Sequence, residues 1–308
     1  LARALLVVTA VTAAILLVVV VVVVVVVSAA GKRFKEDHKV TDLLYLCYAH
    51  LQYGVECQSI FEMIESRYRG ICNELELNVD IESELAAIRS QLKKDVRQDW
   101  LVSRGEYLSA MLMADYLGFQ FVDSAEWLKF KFDGSGDTAA SYATLKEIAD
   151  DRAVVIPGFY GVLPDGNVKV LTRGGSDVSG ALAAAALDAE IYENWTDVSG
   201  ILMADPRIVD NPDTISYITY SELRELSYMG ADVLHEASIF PVREKDIPLN
   251  IRNTNDPEHP GTIIKESFPD SYSEKDKLLT GITGKRNYSI VTISKNGMSS
   301  SLGYLRRI

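Results

Sequence analysis

The chain has 308 residues, of which 48% are hydrophobic, so it can bury a large core in one large domain or two smaller ones. Its formal net charge of -12 at pH 7 would repel a nucleic-acid backbone, which argues against DNA or RNA as the main partner. The three cysteines lack a CxxC spacing and the four histidines are scattered, which favours neither a disulfide framework nor a zinc site. We therefore expect a reduced, cytoplasmic protein without a dedicated metal site.

The amino-terminal segment, residues 1–27, is anomalous. Residues 4–27 carry no charge and end in ten consecutive valines, 18–27, which is unusual for an evolved segment. The length would suffice to cross a bilayer, so a membrane anchor and a signal peptide are alternatives. A run of β-branched residues without flanking aromatic residues instead favours a buried strand, and we expect no membrane anchor.

The rest of the chain divides into a helical part and an alternating part. Apolar residues recur at helical spacing from 41 to 118, which predicts a layer of helices. Short apolar runs between turn residues predict strands at 119–123, 154–157, 168–171 and 190–195. Helices are predicted at 142–149, 176–187 and 221–230. This alternation is typical of an α/β fold, a three-layer αβα sandwich.

Turn residues and a polar stretch separate the carboxyl-terminal part. Pro257, Pro260 and Gly261 precede a charged segment, which indicates a linker near 265–277. Beyond it, residues 288–293 have strand character and 298–308 have a helical pattern. Because a strand and one helix do not fold alone, we interpret residues 278–308 as the beginning of a second domain.

One polar motif stands directly before an alanine-rich run that is typical of a buried helix. It consists of Arg173, Gly174, Gly175, Ser176 and Asp177. The glycines leave backbone amides accessible, and Ser and Asp are typical cap residues of a helix whose amino end attracts anions. The arginine adds a planar cation that suits a carboxylate or a phosphate. An ordinary capped turn would contain the same residues.

A second polar cluster follows the strand predicted at 190–195. Thr196 and Asp197 open it, and Asp205-Pro206-Arg207 ends it. Asp and Pro also favour an ordinary turn. Together with the glycine motif, however, the cluster predicts a site that handles phosphate.

These motifs and others occur in an order that resembles the aspartokinases of the amino-acid kinase family, over residues 28–264. The matching segments are SAAGK (28–32), VTDLL (40–44), SRGE (103–106), PGFYG (157–161), RGGSD (173–177), WTDVSGILMADPR (195–207), SYMGADVLHEAS (227–238), IPLNIRNT (247–254) and PGTII (260–264). Residues 278–293 resemble the first strand of an ACT regulatory domain. The resemblance implies a catalytic domain of the amino-acid kinase type at 1–265 and a partial ACT-like domain at 278–308.

The resemblance also implies an activity. It is the transfer of the γ-phosphoryl group of ATP, with Mg²⁺, to the side-chain carboxylate of L-aspartate, the first step of lysine, threonine and methionine biosynthesis. A carboxylate is already ionised at pH 7, so catalysis reduces to alignment and charge neutralisation. Mg²⁺ is expected on the phosphates and water. A homodimer through the ACT region and a lysine or threonine effector are implied as well.

The resemblance assigns substrate contacts residue by residue. Arg173 is expected to clamp the α-carboxylate of aspartate and Glu106 to accept from its α-ammonium group, with hydroxyl contacts from Thr41 and Ser176 and a wall formed by Phe159. Taken alone, Glu106 is typical of a solvated carboxylate and Phe159 of a core aromatic residue.

The remaining assignments concern the nucleotide. Asp177 is expected to organise the catalytic lysine and the amides around the phosphates, although it could simply cap its helix. The nucleotide contacts are expected from Gly174, Gly175, Thr196, Asp197 and Arg207.

Three departures from the family pattern bear on activity. The family begins with a strand and a Lys-Phe-Gly-Gly-Ser loop that grips the transferring phosphate, and nothing here matches that loop. We expect the first strand to be missing, with Leu1 to Ala14 covering at best a helix. Losing such a cation costs on the order of 10³-fold in rate. Asp232 replaces a lysine near the nucleotide, and Leu202 replaces a tyrosine near the base.

Three alternatives to an aspartate kinase remain at this point. The departures favour a non-catalytic nucleotide- or amino-acid-binding member of the same family. A kinase for another amino acid, such as glutamate, would share the motifs. The apolar residues 4–27 leave a membrane-anchored regulator as the third.

Overall fold

The computed structural model describes residues 5–8, 22–150, 152–172, 174–228, 234, 236–268 and 279–284. The strands among them are β1 (Leu5–Val8), β2 (Val22–Val27), β3 (Gln120–Phe121), β4 (Val154–Pro157), β5 (Tyr160–Val162), β6 (Val168–Val170), β7 (Ile191–Thr196), β8 (Ile201–Leu202), β9 (Thr214–Ile215), β10 (Tyr217–Thr219), β11 (Leu249–Asn253) and β12 (Thr262–Lys265). The helices are α1 (Val40–Gln52), α2 (Gln58–Glu74), α3 (Ile81–Ser90), α4 (Gln98–Leu117), α5 (Ser124–Trp127), α6 (Thr138–Ile148), α7 (Gly175–Ala186), α8 (Tyr220–Tyr228) and α9 (Glu236–Glu244).

One sheet of eight strands runs through the molecule in the order β10-β12-β11-β7-β1-β2-β4-β3. The six strands from β11 to β3 pair in parallel, whereas β12 is antiparallel to β11. Two short antiparallel pairs, β5–β6 and β8–β9, lie outside this sheet. Parallel pairing places the carboxyl ends of the central strands at one edge.

The sheet is covered on both faces. Val24 and Val26 of β2 belong to the core that contains the alanines of α7, whereas Val25 belongs to a core with Ala110 and Ala114 of α4. Successive residues of a strand point to opposite faces, so a strand buried on both faces is apolar throughout. The predicted three-layer αβα sandwich is confirmed, and so is the buried strand predicted for the valine run.

Our expectation that the amino-terminal segment lacks the first strand and the phosphate loop of the family is partly wrong. Leu5–Val8 form a strand, β1, that pairs in parallel with both β2 and β7. A first strand is therefore present where we expected at best a helix. A short apolar run has no periodicity that separates a buried strand from a helix, which explains the error. Residues 9–21, on which the prediction of a missing phosphate loop falls, lie outside the described residues, and that part stays a prediction.

The other predicted elements agree with the structure where it describes them. Strand β4 has the predicted bounds, and the helical layer predicted at 41–118 consists of α1 to α4. The sequence patterns missed α9, which contains Pro241, and the short strands β8 to β12. The elements predicted at 288–293 and 298–308 lie outside the described residues. Over the part of the chain that the structure describes, no helix has the length and apolar character needed to cross a membrane.

Close packing at Gly105 gives a test of this arrangement. A Cβ atom there would lie 2.9 Å from Ala29 Cβ and 3.3 Å from Val40 Cγ1, so Gly105→Ala should push α4 away from the loop after β2. We expect the free energy of unfolding to fall by about 1–3 kcal/mol, as in other overpacked sites. Urea denaturation of both proteins measures the change.

Gly70 in α2 supplies the matched control. A Cβ at Gly70 would meet nothing within 4 Å among the described residues. Gly70→Ala should therefore stabilise by about 0.5–1 kcal/mol through helix propensity. If both substitutions shifted stability in the same direction, the close contact of α4 with the loop would be contradicted.

Candidate active site

The carboxyl ends of the parallel strands carry the motifs that the sequence predicts to be functional. The loops after β2 and β4 are joined, because the Gly158 N–H donates to the Val27 carbonyl oxygen at 2.9 Å. The loops after β7 and β11 are joined in the same way, with the Thr254 N–H donating to Thr196 O at 2.8 Å. Ligands of open α/β sheets bind at this edge, so it is the candidate active site.

Helix α7 begins at this edge. Its cap residue is Gly174, in the left-handed region at φ 75°, and no side chain of the described residues caps the helix there. Ser176 and Asp177 lie in the first turn, so our expectation that they occupy the cap position is wrong. The amides of the first turn remain without a side-chain cap, which suits an anion. Arg173 lies outside the described residues.

Packing explains the second glycine of the motif. A Cβ at Gly175 would lie 2.7 Å from Phe159 Cδ2, and a Cβ at Gly158 would lie 2.7 Å from Ser176 Cβ. The start of α7 and the loop after β4 are thus in direct contact. This contact places Ser176 and Phe159 in neighbouring segments, and their joint contact with a substrate stays a prediction.

Phe159 is held in a backbone conformation that is rare for its type, at φ 78°. Its N–H donates to Ser179 Oγ at 3.0 Å, and that hydroxyl donates to Gly175 O at 2.9 Å. Its carbonyl oxygen accepts from the Leu171 N–H at 2.7 Å. The side chain packs against the core of helices α1 to α4. Such strained positions cluster at functional sites, where the surroundings hold them.

Asp177 is oriented by β7 rather than by its own helix. Its Oδ1 accepts from Asn194 Nδ2 at 3.0 Å, and the Tyr192 hydroxyl donates to the Asp177 carbonyl oxygen at 3.1 Å. Burial raises the pKa of the Asp177 carboxyl, and the Asn194 hydrogen bond opposes that shift. Sequence reasoning missed Asn194, which lies in β7 two positions before Thr196.

Glu106 is the most unusual carboxyl group of the site. It is 5% exposed, and its Oε2 is buried without a hydrogen-bond partner among the described residues. Burial raises its pKa to about 8, against the opposing effect of a hydrogen bond from the Ala29 N–H. The reading of Glu106 as a solvated carboxylate is therefore wrong. A buried carboxyl with a free oxygen is poised to receive a donor.

Thr41 lies close to the same loop. It is the second residue of α1, and the Val40 N–H before it donates to Ala30 O at 3.2 Å. One turn along the helix, the pKa of the Tyr45 phenol is raised by burial and then by the charges of Asp99 and Glu106. The loop after β2 therefore brings the start of α1 and the Glu106 region of α4 together.

A buried ion pair fixes that loop. Arg67 Nη2 lies 2.7 Å from Asp37 Oδ2, and Arg67 Nη1 donates to Gly31 O at 2.5 Å. Asp37 also accepts from Arg33, and these bonds hold the pKa of its carboxyl well below the usual range. No pattern in the sequence predicts this pair, because its members are 30 residues apart.

The residues at and after the end of β7 that are predicted to contact the nucleotide are more exposed than Glu106. Thr196 Oγ1 donates to Asp197 Oδ1 at 3.2 Å at the end of β7. The Arg207 side chain is 88% exposed and pairs with Asp205, with Nη2 2.6 Å from Oδ2. Arg207 lowers the pKa of Asp205 to about 2. The cation of the Asp205-Pro206-Arg207 turn is thus paired within the turn itself. A contact of Arg207 with phosphate stays a prediction.

Two positions at which the chain departs from the family pattern near the nucleotide are Leu202 and Asp232. Leu202 lies half-buried in β8, whereas Asp232 lies outside the described residues. Among the residues that the structure describes, no three His, Cys, Asp or Glu side chains are close enough to hold a metal ion.

The comparison with known families decides the identification. Residues 11–253 match the amino acid kinase family. The chain belongs to this family. Aspartokinases are among its relatives: Aspartokinase 3 of Bacillus subtilis is 34% identical over 91% of the chain, and Lysine-sensitive aspartokinase 3 of Escherichia coli is 29% identical over 90%. The chain spans 64% and 60% of the lengths of these two relatives.

Solved structures of aspartate kinases also resemble this chain. The aspartate kinase of Clostridium acetobutylicum is 47% identical with a TM-score of 0.76, over 85% of this chain and 58% of that one. Aspartokinase III of E. coli, in complex with aspartate and ADP, has a TM-score of 0.69 at 28% identity, over 80% of this chain and 58% of that one. The predicted resemblance to aspartokinases is confirmed.

The raised pKa of Glu106 predicts how stability depends on pH. The folded protein holds the Glu106 proton up to about pH 8, whereas an unfolded glutamate releases it near 4.5. Stability from this group is therefore complete below about 4.5 and is lost as pH rises towards 8, with a slope of at most about 1.4 kcal/mol per pH unit. Glu106→Gln should lose this slope between pH 5 and 8 in urea denaturation.

The control is Glu147→Gln, which changes an exposed glutamate of α6. It should keep the slope of the unchanged protein. Parallel curves for the Glu106→Gln and unchanged proteins would contradict the buried, protonated state of Glu106.

Proposed function

We propose that this chain is the catalytic part of an aspartate kinase, which transfers the γ-phosphoryl group of ATP to the side-chain carboxylate of L-aspartate. The observation that carries the proposal is Glu106, a buried carboxyl with an unpartnered oxygen beside the strand ends. A substrate that brings an ammonium group there would satisfy the buried acceptor. The likeness to E. coli aspartokinase III, whose structure contains aspartate and ADP, supports the same substrates.

The substrate end of the site would hold aspartate by its backbone groups. Glu106 would accept from the α-ammonium group, and Arg173 would clamp the α-carboxylate through two parallel hydrogen bonds. Thr41 and Ser176 would add hydroxyl contacts, and Phe159 would form the wall. These contacts leave the side-chain carboxylate of the substrate as the reacting group.

The nucleotide end would begin at α7. The amides after Gly174 and Gly175 would bind phosphate oxygens, because they lack a side-chain cap and the start of a helix favours negative charge. Thr196 and Asp197 would contact the adenosine. Arg207 would reach the phosphates by leaving Asp205, an exposed pair that is weak in water.

Alignment and charge neutralisation suffice for the reaction. The aspartate carboxylate attacks the γ-phosphorus atom while the bond from that atom to the β,γ-bridging oxygen breaks, so ADP leaves and 4-phospho-L-aspartate forms. No proton is removed from the nucleophile, since the carboxylate is ionised at pH 7. Asp177, fixed by Asn194, would orient the groups around the phosphates. Mg²⁺ would neutralise charge on the phosphate oxygens, held by them and by water.

Cellular setting and assembly follow as further parts of the proposal. We infer a cytoplasmic homodimer that associates through the predicted ACT region. Lysine or threonine would act as effector. The E. coli relative is named lysine-sensitive, and a structure of aspartokinase III contains lysine and aspartate.

A hydroxylamine trap tests the activity. With ATP, Mg²⁺ and L-aspartate, the acyl phosphate should react to a hydroxamate that is measured as its coloured iron(III) complex. L-glutamate should give no product, since its longer side chain misplaces the reacting carboxylate by about one C–C bond when the α-groups are held. Product with glutamate but not aspartate would identify a different amino-acid kinase. No product with either would contradict phosphoryl transfer to an amino acid.

Glu106→Gln tests the assigned substrate contact. Replacing the charged acceptor should raise KM for aspartate by about 10- to 100-fold, the usual value of a hydrogen bond between charged groups, and leave KM for ATP near that of the unchanged protein. Glu147→Gln is the matched control and should change neither constant. Equal shifts in both KM values for Glu106→Gln would indicate a general structural effect and contradict the assignment.

A further inference from the structure

The segment 279–284 lies against the β8–β9 hairpin and the start of α8. The Ile282 N–H donates to the Met203 carbonyl oxygen at 2.7 Å. A Cβ at Gly281 would lie 3.2 Å from the same oxygen and 3.4 Å from Ile215 Cδ1, so the main chain of the segment lies close to the hairpin. The segment therefore touches the hairpin through its main chain.

Met203 occupies the neck of the loop that carries the Asp205-Pro206-Arg207 turn. It follows β8 directly, and its N–H donates to Asp213 O at 2.8 Å across the neck. Its carbonyl oxygen accepts from the Ile282 N–H. Two hydrogen bonds thus fix the residue from which the loop departs.

A second contact ties the same segment to α8. Thr280 Oγ1 donates to Glu222 Oε1 at 2.7 Å. The other carboxylate oxygen, Oε2, accepts from the Thr219 N–H at 2.9 Å and from Thr219 Oγ1 at 2.7 Å. Glu222 therefore joins the segment to the turn between β10 and α8. Thr280 and Ile282, which follow the last strand of the sheet in sequence, thus connect the β8–β9 hairpin to α8.

We propose that Thr280 to Ile282 form a positioning segment for nucleotide binding, which holds the loop carrying Arg207 in place through the Ile282–Met203 and Thr280–Glu222 hydrogen bonds. The inference rests on the proposed function, because the loop's role in ATP binding is part of that proposal. None of the three residues is assigned a contact with a substrate. Their effect is on the position of the loop and so on the affinity for ATP.

The exposure of Ile282 makes a sharp test possible. The residue is 64% exposed, so its N–H is the main element of the contact. Ile282→Pro removes the donor, whereas Ile282→Ala shortens the side chain and keeps it. We expect Ile282→Pro to raise KM for ATP roughly 3- to 10-fold, the value of one hydrogen bond, with KM for aspartate unchanged. Ile282→Ala should match the unchanged protein in both constants.

A second pair of variants covers the case in which Ile282→Pro does not fold, which its melting curve will reveal. Thr280→Val removes the hydroxyl that bonds Glu222 and preserves the shape of the side chain. Thr283→Val makes the same change at a position where the described residues offer the hydroxyl no hydrogen bond. Thr280→Val should raise KM for ATP about 2- to 5-fold and Thr283→Val should not.

Direct binding of ATP, measured by calorimetry, separates the two proposals. The unchanged protein could bind ATP and yet form no aspartyl phosphate, which would contradict the proposed kinase activity. In that case, a weaker ATP affinity of Ile282→Pro than of Ile282→Ala would still support the positioning segment. Equal ATP affinity of the two Ile282 variants, or equal loss for both substrates, would overturn the positioning role even if the protein is an aspartate kinase. Absence of ATP binding by the unchanged protein would overturn both.

Discussion

The parallel pairing of β4, β2, β1, β7 and β11 is the constraint on which the candidate site depends. It brings the carboxyl ends of these strands to one edge, and hydrogen bonds then join the loops in pairs, Gly158 to Val27 and Thr254 to Thr196. Residues that are far apart in the sequence therefore lie close together at this edge. A shift of one strand by one residue would turn every side chain of that strand to the other face.

Two consequences of this alignment define the chemistry. The loop after β2, fixed by the Arg67–Asp37 pair, packs so closely on α4 that only glycine fits at position 105, and Glu106 is buried beside it. The start of α7 is placed against the loop after β4 without a side-chain cap. The edge thus offers a buried acceptor beside the loop after β2 and backbone donors at the start of α7. An amino acid and a nucleotide phosphate have the complementary groups.

The sequence predicted the features that depend on neighbouring residues. Strand β4 and helix α7 were predicted nearly to the residue, because turn residues bound both. Strand β1 was missed, since a short apolar run has no period that distinguishes a strand from a helix. The burial of Glu106, the Asn194–Asp177 bond and the Arg67–Asp37 pair depend on partners far along the chain. Local pattern carries no information on such contacts, so only the resemblance to a family pointed to Glu106.

The account depends most on Glu106 as a buried carboxyl that becomes charged when aspartate binds. NMR titration of protein with ¹³C-labelled glutamate side chains measures this directly, with the Glu106 signal assigned from Glu106→Gln. The account predicts a pKa of about 8 in the free protein and a clearly lower value with L-aspartate bound, because an ammonium group favours the charged form. A pKa near the ordinary glutamate value in the free protein, or one that aspartate does not lower, would contradict it.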